Sequence, residues 1–281
     1  MQPPAPDLPP ILTAHLFSKL ERCLVELLQS LTPSEWGAQT IAPKWKVKDV
    51  AAHLLDTQLR KLSIVRDGYF GEAPVIQSEL DLVNFINRLN QEGVALYGRL
   101  SPEVLISLME FASRASVDFH LSLDPFSPAV FAVSWAGEDQ SLNWFDTARE
   151  LTERWHHQQQ IRLAVDRPGI MTRELYHPVL DCFLRALPYH YRTVPAPIGT
   201  FLQFDVSGEC GGSWVLLRED ASWRLVEAGP REPFSRTVIP QDLAWRFFTK
   251  GLHPSSAEAN VLVEGNQKLG SHVLSMKAIV G

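Results

Sequence analysis

Residues 150–162, ELTERWHHQQQIR, place a glutamate and two adjacent histidines in a stretch whose spacing otherwise predicts an ordinary amphipathic helix. In a helix Glu153 and His157 stand four positions apart and share a face, whereas His156 is turned roughly 100° from its neighbour. One carboxylate and one imidazole then point to the same place, which is half of a metal site or else a partly buried salt bridge. A second stretch, DVAAHLLD at 49–56, carries His53 beside the apolar stripe of Val50 and Leu54, directed toward or along a helical interior. A neutral imidazole there needs partners for both ring nitrogens, because an unsatisfied buried polar group costs about 1–3 kcal/mol. If the two helices are neighbours, His53, Glu153 and His157 converge. Three such ligands leave an open coordination position, as in catalytic rather than structural zinc sites, and a metal there lowers the pKa of a bound water or thiol. Spacing alone equally permits a satisfied core histidine beside a weak i,i+4 pair of about 0.2–0.5 kcal/mol.

The elements that must position these residues are legible in the hydrophobic pattern. Ile11, Leu12, Leu16, Leu20, Leu24, Leu27, Leu28 and Leu31 predict a first helix ended by Thr32-Pro33. VKDVAAHLLDTQLRKLSIVR, 47–66, predicts a second, closed by Gly68. A third spans Glu79 to Leu100, and Ser101-Pro102-Glu103 opens a fourth with an N-cap and a first-turn proline. An irregular stretch over 122–143 is long enough to suggest function. The fifth helix, Trp144 to Val165, carries Glu153 and His157, and a sixth runs from Thr172 to about Leu187. After the proline-rich turn at 193–199 the pattern changes to short strands at 201–206, 213–218 and 222–228, an antiparallel meander. Helices at Gln241–Gly251 and Gln267–Ile279 flank one more strand at Asn260–Val263. The expected organisation is a disordered segment at 1–10, a helical bundle at 11–192 and a small α+β domain at 193–281.

Composition excludes some function classes. The 281-residue chain is 45% hydrophobic and 21% charged with a formal net charge of −6, ordinary for a globular protein and unfavourable for nucleic acid, whose phosphates require clustered Lys and Arg. A small-molecule partner is expected instead. No apolar run suffices to span a bilayer and the N-terminus lacks the order of a signal peptide, so a cytoplasmic location is expected. Cys23, Cys182 and Cys210 form no CxxC pattern and are expected as reduced structural thiols. The GECGG stretch at 208–212 lacks the Lys and following helix of a P-loop and predicts a hairpin turn. Trp45, Trp155, Trp214, Trp223 and Trp245 are expected in packing, and nothing in the spacing of His120 or His190 requires them at a site.

Two stretches carry a resemblance. KWKVKDVAAHLLD, 44–56, resembles the tryptophan followed by Val-x-Asp-Val-x-x-His-Leu of the mycothiol-dependent maleylpyruvate isomerase family, whose metal-binding domain is a DinB-like helical bundle. ELTERWHHQQQIR resembles that family's last bundle helix, with Trp155 on the motif tryptophan and His156 at a variable position. The C-terminal VIPQDLAWRFFTKGL and VLVEGNQKLGSHVL resemble the sterol-carrier-like domain that accompanies the bundle. The resemblance implies a divalent metal, zinc suiting the open site, on His53, Glu153 and His157. It also implies a low-molecular-weight thiol cosubstrate, activated as the metal-bound thiolate, for isomerisation of or transfer to a small electrophile. The chain departs from the family at Gln158-Gln159-Gln160, where relatives commonly carry an acidic residue, and at TKG, where many read Gly-Arg. Arg246 is a candidate partner for a carboxylate substrate, with an exposed helix arginine the weightier reading. Two rivals remain at this stage: a hydrolase using metal-bound hydroxide, and a non-catalytic module enclosing an apolar ligand. Monomer and homodimer are both compatible with the sequence.

Overall fold

A computed structural model of the chain describes residues 8–72, 74–227, 232–249 and 260–279. Residues 1–7 of the segment expected to be disordered, and the Lys250-Gly251 end of the helix expected at 241–251, lie outside them. The helices are α1 (Phe17–Gln29), α2 (Pro33–Trp36), α3 (Val47–Lys61), α4 (Glu79–Tyr97), α5 (Pro102–Ser122), α6 (Asn143–Ala164), α7 (Arg173–Leu184), α8 (Leu187–Tyr191), α9 (Gln241–Phe248) and α10 (Gln267–Ser271). The strands are β1 (Phe201–Ser207), β2 (Gly212–Arg218), β3 (Trp223–Val226), β4 (Ser235–Pro240) and β5 (Leu262–Gly265). By contacts the chain falls into two compact units, 12–130 with 150–170, and 8–11 with 131–149 and 171–279 among the described residues. This division differs from the change in composition at 193. The second half of α6 groups with the bundle helices, whereas its first two turns, α7 and α8 group with the sheet.

In the bundle unit, the stripes predicted from 3.6-residue periodicity meet in one core. Leu24, Leu27 and Leu28 of α1, Val47, Val50, Ala51, Leu54 and Leu55 of α3, Leu105, Met109 and Ala112 of α5 and Ile161 of α6 pack together. The helix starts have local causes. Thr32 and Glu35 form a reciprocal capping box at α2, the Lys46 backbone N–H donates to the Asp49 carboxylate at the head of α3 (2.8 Å), and Ser101 caps α5 with Pro102 in its first turn. The second predicted helix is α-helical only to Lys61. Leu62–Arg66 forms a π-helical turn before Gly68 adopts φ +68°, a left-handed conformation that favours glycine.

In the sheet unit, the strand order among the described residues is β3-β2-β1-β4-β5. The predicted meander is present as β1-β2-β3, but β4 lies parallel to β1, pairing Phe204 with Thr237. The sequence reading missed β4 because Ser235 and Thr237 face inward. They are tolerated there because the Ser235 hydroxyl donates to the Glu264 carbonyl (3.0 Å) and the Thr237 hydroxyl to the Gly270 carbonyl (2.9 Å). The last strand falls two residues later than expected. The helix expected to Ile279 ends at Ser271 and passes through a 3-10 turn, after which Met276 and Ala278 give their backbone N–H groups to the Val273 and Phe248 carbonyls instead. The sixth predicted helix breaks at Leu184 and restarts as α8, where Pro188 occupies the first turn. The 122–143 stretch is partly a packing element: Val133 is fully buried with Ile11, Phe145, Ala148 and Cys182.

Candidate metal centre

The centre is built on facing turns of α3 and α6. The His53 and His157 rings meet edge to face with centroids 4.6 Å apart, so the neighbourhood of the two helices assumed from sequence exists. Glu153 lies one turn before His157, its Oε2 3.7 Å from His157 Nε2. Trp45, expected only as packing, lies over both imidazoles, 4.7 Å from the His53 centroid and 5.9 Å from that of His157.

His156, which the helical wheel turned away, is also part of the cluster. Its ring lies 3.9 Å from that of His157, and Glu153, His156 and His157 bring ligand atoms within 4.8 Å of one another. His53 is not among those three and adjoins them through its ring contact with His157. The hydrogen bonds separate the roles of the two α6 histidines. His156 Nδ1 donates to the Thr152 carbonyl (3.0 Å). A carbonyl cannot donate, so that nitrogen, the one 3.9 Å from Glu153 Oε2, carries a proton and offers no lone pair. His157 Nδ1 donates to Gln160 Oε1 (3.0 Å), which leaves the Nε2 lone pair directed to the Glu153 side. His53 Nδ1 is buried with no hydrogen-bond partner among the described residues. An orphaned imidazole nitrogen on His53, whose ring touches that of His157, and a His157 Nε2 lone pair on the Glu153 side are groups of the types that divalent cations take as ligands.

The electrostatics agree. Burial pushes the His157 ring down to about 3, with repulsion from His156 adding to it and Glu153 and the Gln160 bond pulling the other way. Burial likewise brings His156 to about 4 against the opposing bond to Thr152. His53 is held well below the ordinary histidine value by burial first, then by His157, Arg60 and His156. All three rings are neutral at pH 7, the form in which imidazole ligates a metal.

Around the cluster lies a set of buried polar contacts that the sequence reading did not assign. Arg154 Nη1 donates to Glu21 Oε1 of α1 (2.9 Å) and Nη2 to Ser116 Oγ of α5 (3.0 Å). Glu21 Oε2 accepts from Gln58 of α3 (2.9 Å) and Ser113 of α5 (2.7 Å). Two turns beyond His53 on α3, the Lys61 ammonium pairs with Glu150 of α6 at 3.4 Å, both side chains nearly enclosed. Isolated charged residues in an amphipathic pattern read as solvated faces, so only their long-range pairing could have revealed them.

The remaining sequence candidates lie elsewhere. Arg246 is on α9 in the sheet unit and, against the expectation of an exposed arginine, is half-buried, its Nε lacking a hydrogen-bond partner among the described residues. His190 belongs to the sheet unit, where its Nε2 donates to the His272 carbonyl (2.9 Å), and His120 stacks on Phe17 (4.2 Å). Cys210 donates to the Met171 carbonyl (3.3 Å), and burial raises its thiol pKa, as befits a structural residue. No helix of the described residues is long and apolar enough to cross a membrane.

Two crystal structures of the mycothiol-dependent maleylpyruvate isomerase, one of a mutant form, are each 14% identical in sequence, with TM-scores of 0.49 and 0.47, covering 85% of this chain and 88% of theirs. No curated protein matches the sequence. The family profile of the mycothiol maleylpyruvate isomerase N-terminal domain matches residues 17–162, just over half of the 281 residues, from the start of α1 into the last turn of the Glu153–His157 helix. The chain belongs to the mycothiol maleylpyruvate isomerase N-terminal domain family.

Proposed function

We propose that this protein is a divalent-metal-dependent enzyme that uses a low-molecular-weight thiol to isomerise, or transfer to, a small electrophile. In this reading the bundle is of the DinB-like kind, the sheet unit of the sterol-carrier-like kind, and His53, Glu153 and His157 hold the metal, zinc being the best match to two imidazoles and a carboxylate. The observation that carries it is the His157 imidazole standing between the Glu153 carboxylate and the His53 ring, whose Nδ1 has no hydrogen-bond partner among the described residues. When bound, the metal would supply Lewis acidity, lowering a thiol's pKa so that the nucleophilic thiolate exists at neutral pH.

The chain's own residues supply the rest. Gln160 fixes the His157 tautomer, so the Nε2 lone pair is available without a proton having to leave. Trp45 and the His156 ring flank the imidazoles and keep water from them, which strengthens every charge interaction inside. Three neutral rings and one carboxylate make a net charge of −1, so a divalent cation would leave the centre at +1 and matched to an anionic thiolate. Addition of a thiolate to an electrophilic double bond converts it to a single bond, rotation follows, and expulsion of the thiolate restores the double bond with the thiol unconsumed.

The test is metal content of tag-free protein together with turnover as a function of added thiol. About one metal per chain, lost in His53→Ala and His157→Ala, with turnover that requires thiol, is the expected result. Stoichiometric metal with turnover independent of thiol would point to hydrolysis instead, and absence of metal from wild type would overturn the reading.

A further inference from the structure

Hydrophobic burial fixes the rotation of the second half of α6 only weakly. Between Leu151 and Arg162 every residue except half-buried Glu153 is buried, and most are polar: Thr152, Arg154, His156, His157, Gln158, Gln159, Gln160 and Arg162. With only Leu151, Trp155 and Ile161 apolar in that span, burial sets only loosely which face looks where, the hydrophobic effect being non-directional. Directional bonds must do it. Arg154 makes them, its planar fork spanning Glu21 of α1 and Ser116 of α5 while Glu21 is held in turn by Gln58 of α3 and Ser113 of α5. Arg154 immediately follows Glu153, and a helix rotation of about 100°, one residue's worth, would turn the Glu153 and His157 face off His53. The pair is enclosed, with both side chains 4% exposed, and a buried ion pair of this kind is weak evidence for stability and better understood as a device for register.

We propose that Glu21 and Arg154, with Gln58, Ser113 and Ser116, are positioning residues that set the rotation of α6 and so present Glu153 and His157 to His53. The proposal rests on the metal reading above for its consequence, a dependence of metal affinity on side chains that touch no ligand. It has a second consequence independent of any metal, the ring environments of His53 and His157 in the metal-free chain.

The experiment uses the full chain in three forms: wild type, the apolar double variant Glu21→Leu/Arg154→Met, and Arg154→Lys. Zinc affinity is measured by competition with a chromophoric chelator, histidine tautomers in the metal-free protein by long-range proton–nitrogen correlation spectra, and folding by thermal melting. The double variant is expected to melt cooperatively near wild type, since buried ion pairs replaced by apolar groups are often neutral for stability. It should bind zinc at least ten-fold more weakly, with shifted ring signals for His53 and His157. Arg154→Lys keeps the charge but loses the two-pronged fork, so its affinity should fall between the two. A folded double variant with wild-type affinity and unchanged ring signals would overturn the proposal. So would wild-type behaviour of Arg154→Lys if the double variant failed to fold. A wild type that binds no zinc while the variants still shift the ring signals would sink the metal reading and leave the positioning role standing.

Discussion

Gln160 shows how much one side chain decides about an imidazole. Its Oε1 accepts the His157 Nδ1 proton, a task that a carboxylate would perform with a stronger pull on the ring. Gln160→Ala removes that acceptor, and zinc affinity is expected to fall about 10–100-fold, measured by chelator competition. Gln160→Glu should instead raise affinity. The imidazoles also make metal-free stability depend on pH. Folded His156 and His157 titrate near 4 and 3, below the ordinary 6.5, so on acidification the unfolded chain binds protons before the folded one does. Their contribution is full above pH 6.5 and is lost progressively as pH falls toward 4 for His156 and toward 3 for His157. The urea midpoint of metal-free protein should drop between pH 7 and 5, and drop less in His157→Gln; equal drops in both would refute the assignment. The approach of these side chains was legible because Glu153 and His157 share a helical face and His53 edges an apolar stripe. The parts of His156 and Gln160 were not, because they depend on which ring nitrogen bonds to what.

Helices were readable where periodicity and caps coincide and unreadable where backbone bonds go elsewhere. α3 and α5 begin where expected and α6 begins and ends within a residue of expectation, because proline, glycine and capping side chains mark those points. β4 escaped notice because its inward residues are hydroxylic, and its acceptors come from β5 and α10. One helix contact is tight enough to predict from. A side chain added at Gly93 of α4 would enter the space of the Asp56 carboxylate on α3, which is engaged with Arg60 at 2.8 Å. Gly93→Ala should therefore destabilise the protein by about 1–3 kcal/mol, although alanine favours helix over glycine by about 1 kcal/mol. A urea melt more stable than wild type would mean that α3 and α4 separate without cost.

At the scale of the molecule, the change in composition at 193 is a change of element type rather than a border between contact units. Residues 171–192 fold with the sheet: Tyr176 Oη donates to the Gln241 carbonyl (2.7 Å), Tyr191 Oη to the Leu269 carbonyl (2.7 Å) and Trp214 Nε1 to Asp181 (2.8 Å). These aromatic hydroxyls and indoles look like core residues in the sequence, and the partners that make them inter-element ties are 33 to 78 positions away. A fragment ending at residue 192 would expose the α7 face carrying fully buried Tyr176 and Phe183. It should aggregate or lose cooperative melting, and a monomeric fragment with a sharp transition would contradict this assignment. The π-helical turn at Leu62–Arg66 makes a different kind of demand on the chain. A π turn holds one more residue than the α turn it replaces, so the segment can absorb a one-residue deletion by becoming α-helical, leaving His53 and Lys61 in phase upstream. The same deletion between His53 and Lys61 would swing Lys61 by about 100° away from Glu150. Natural length variation in α3 should therefore be permitted after Lys61 and forbidden before it.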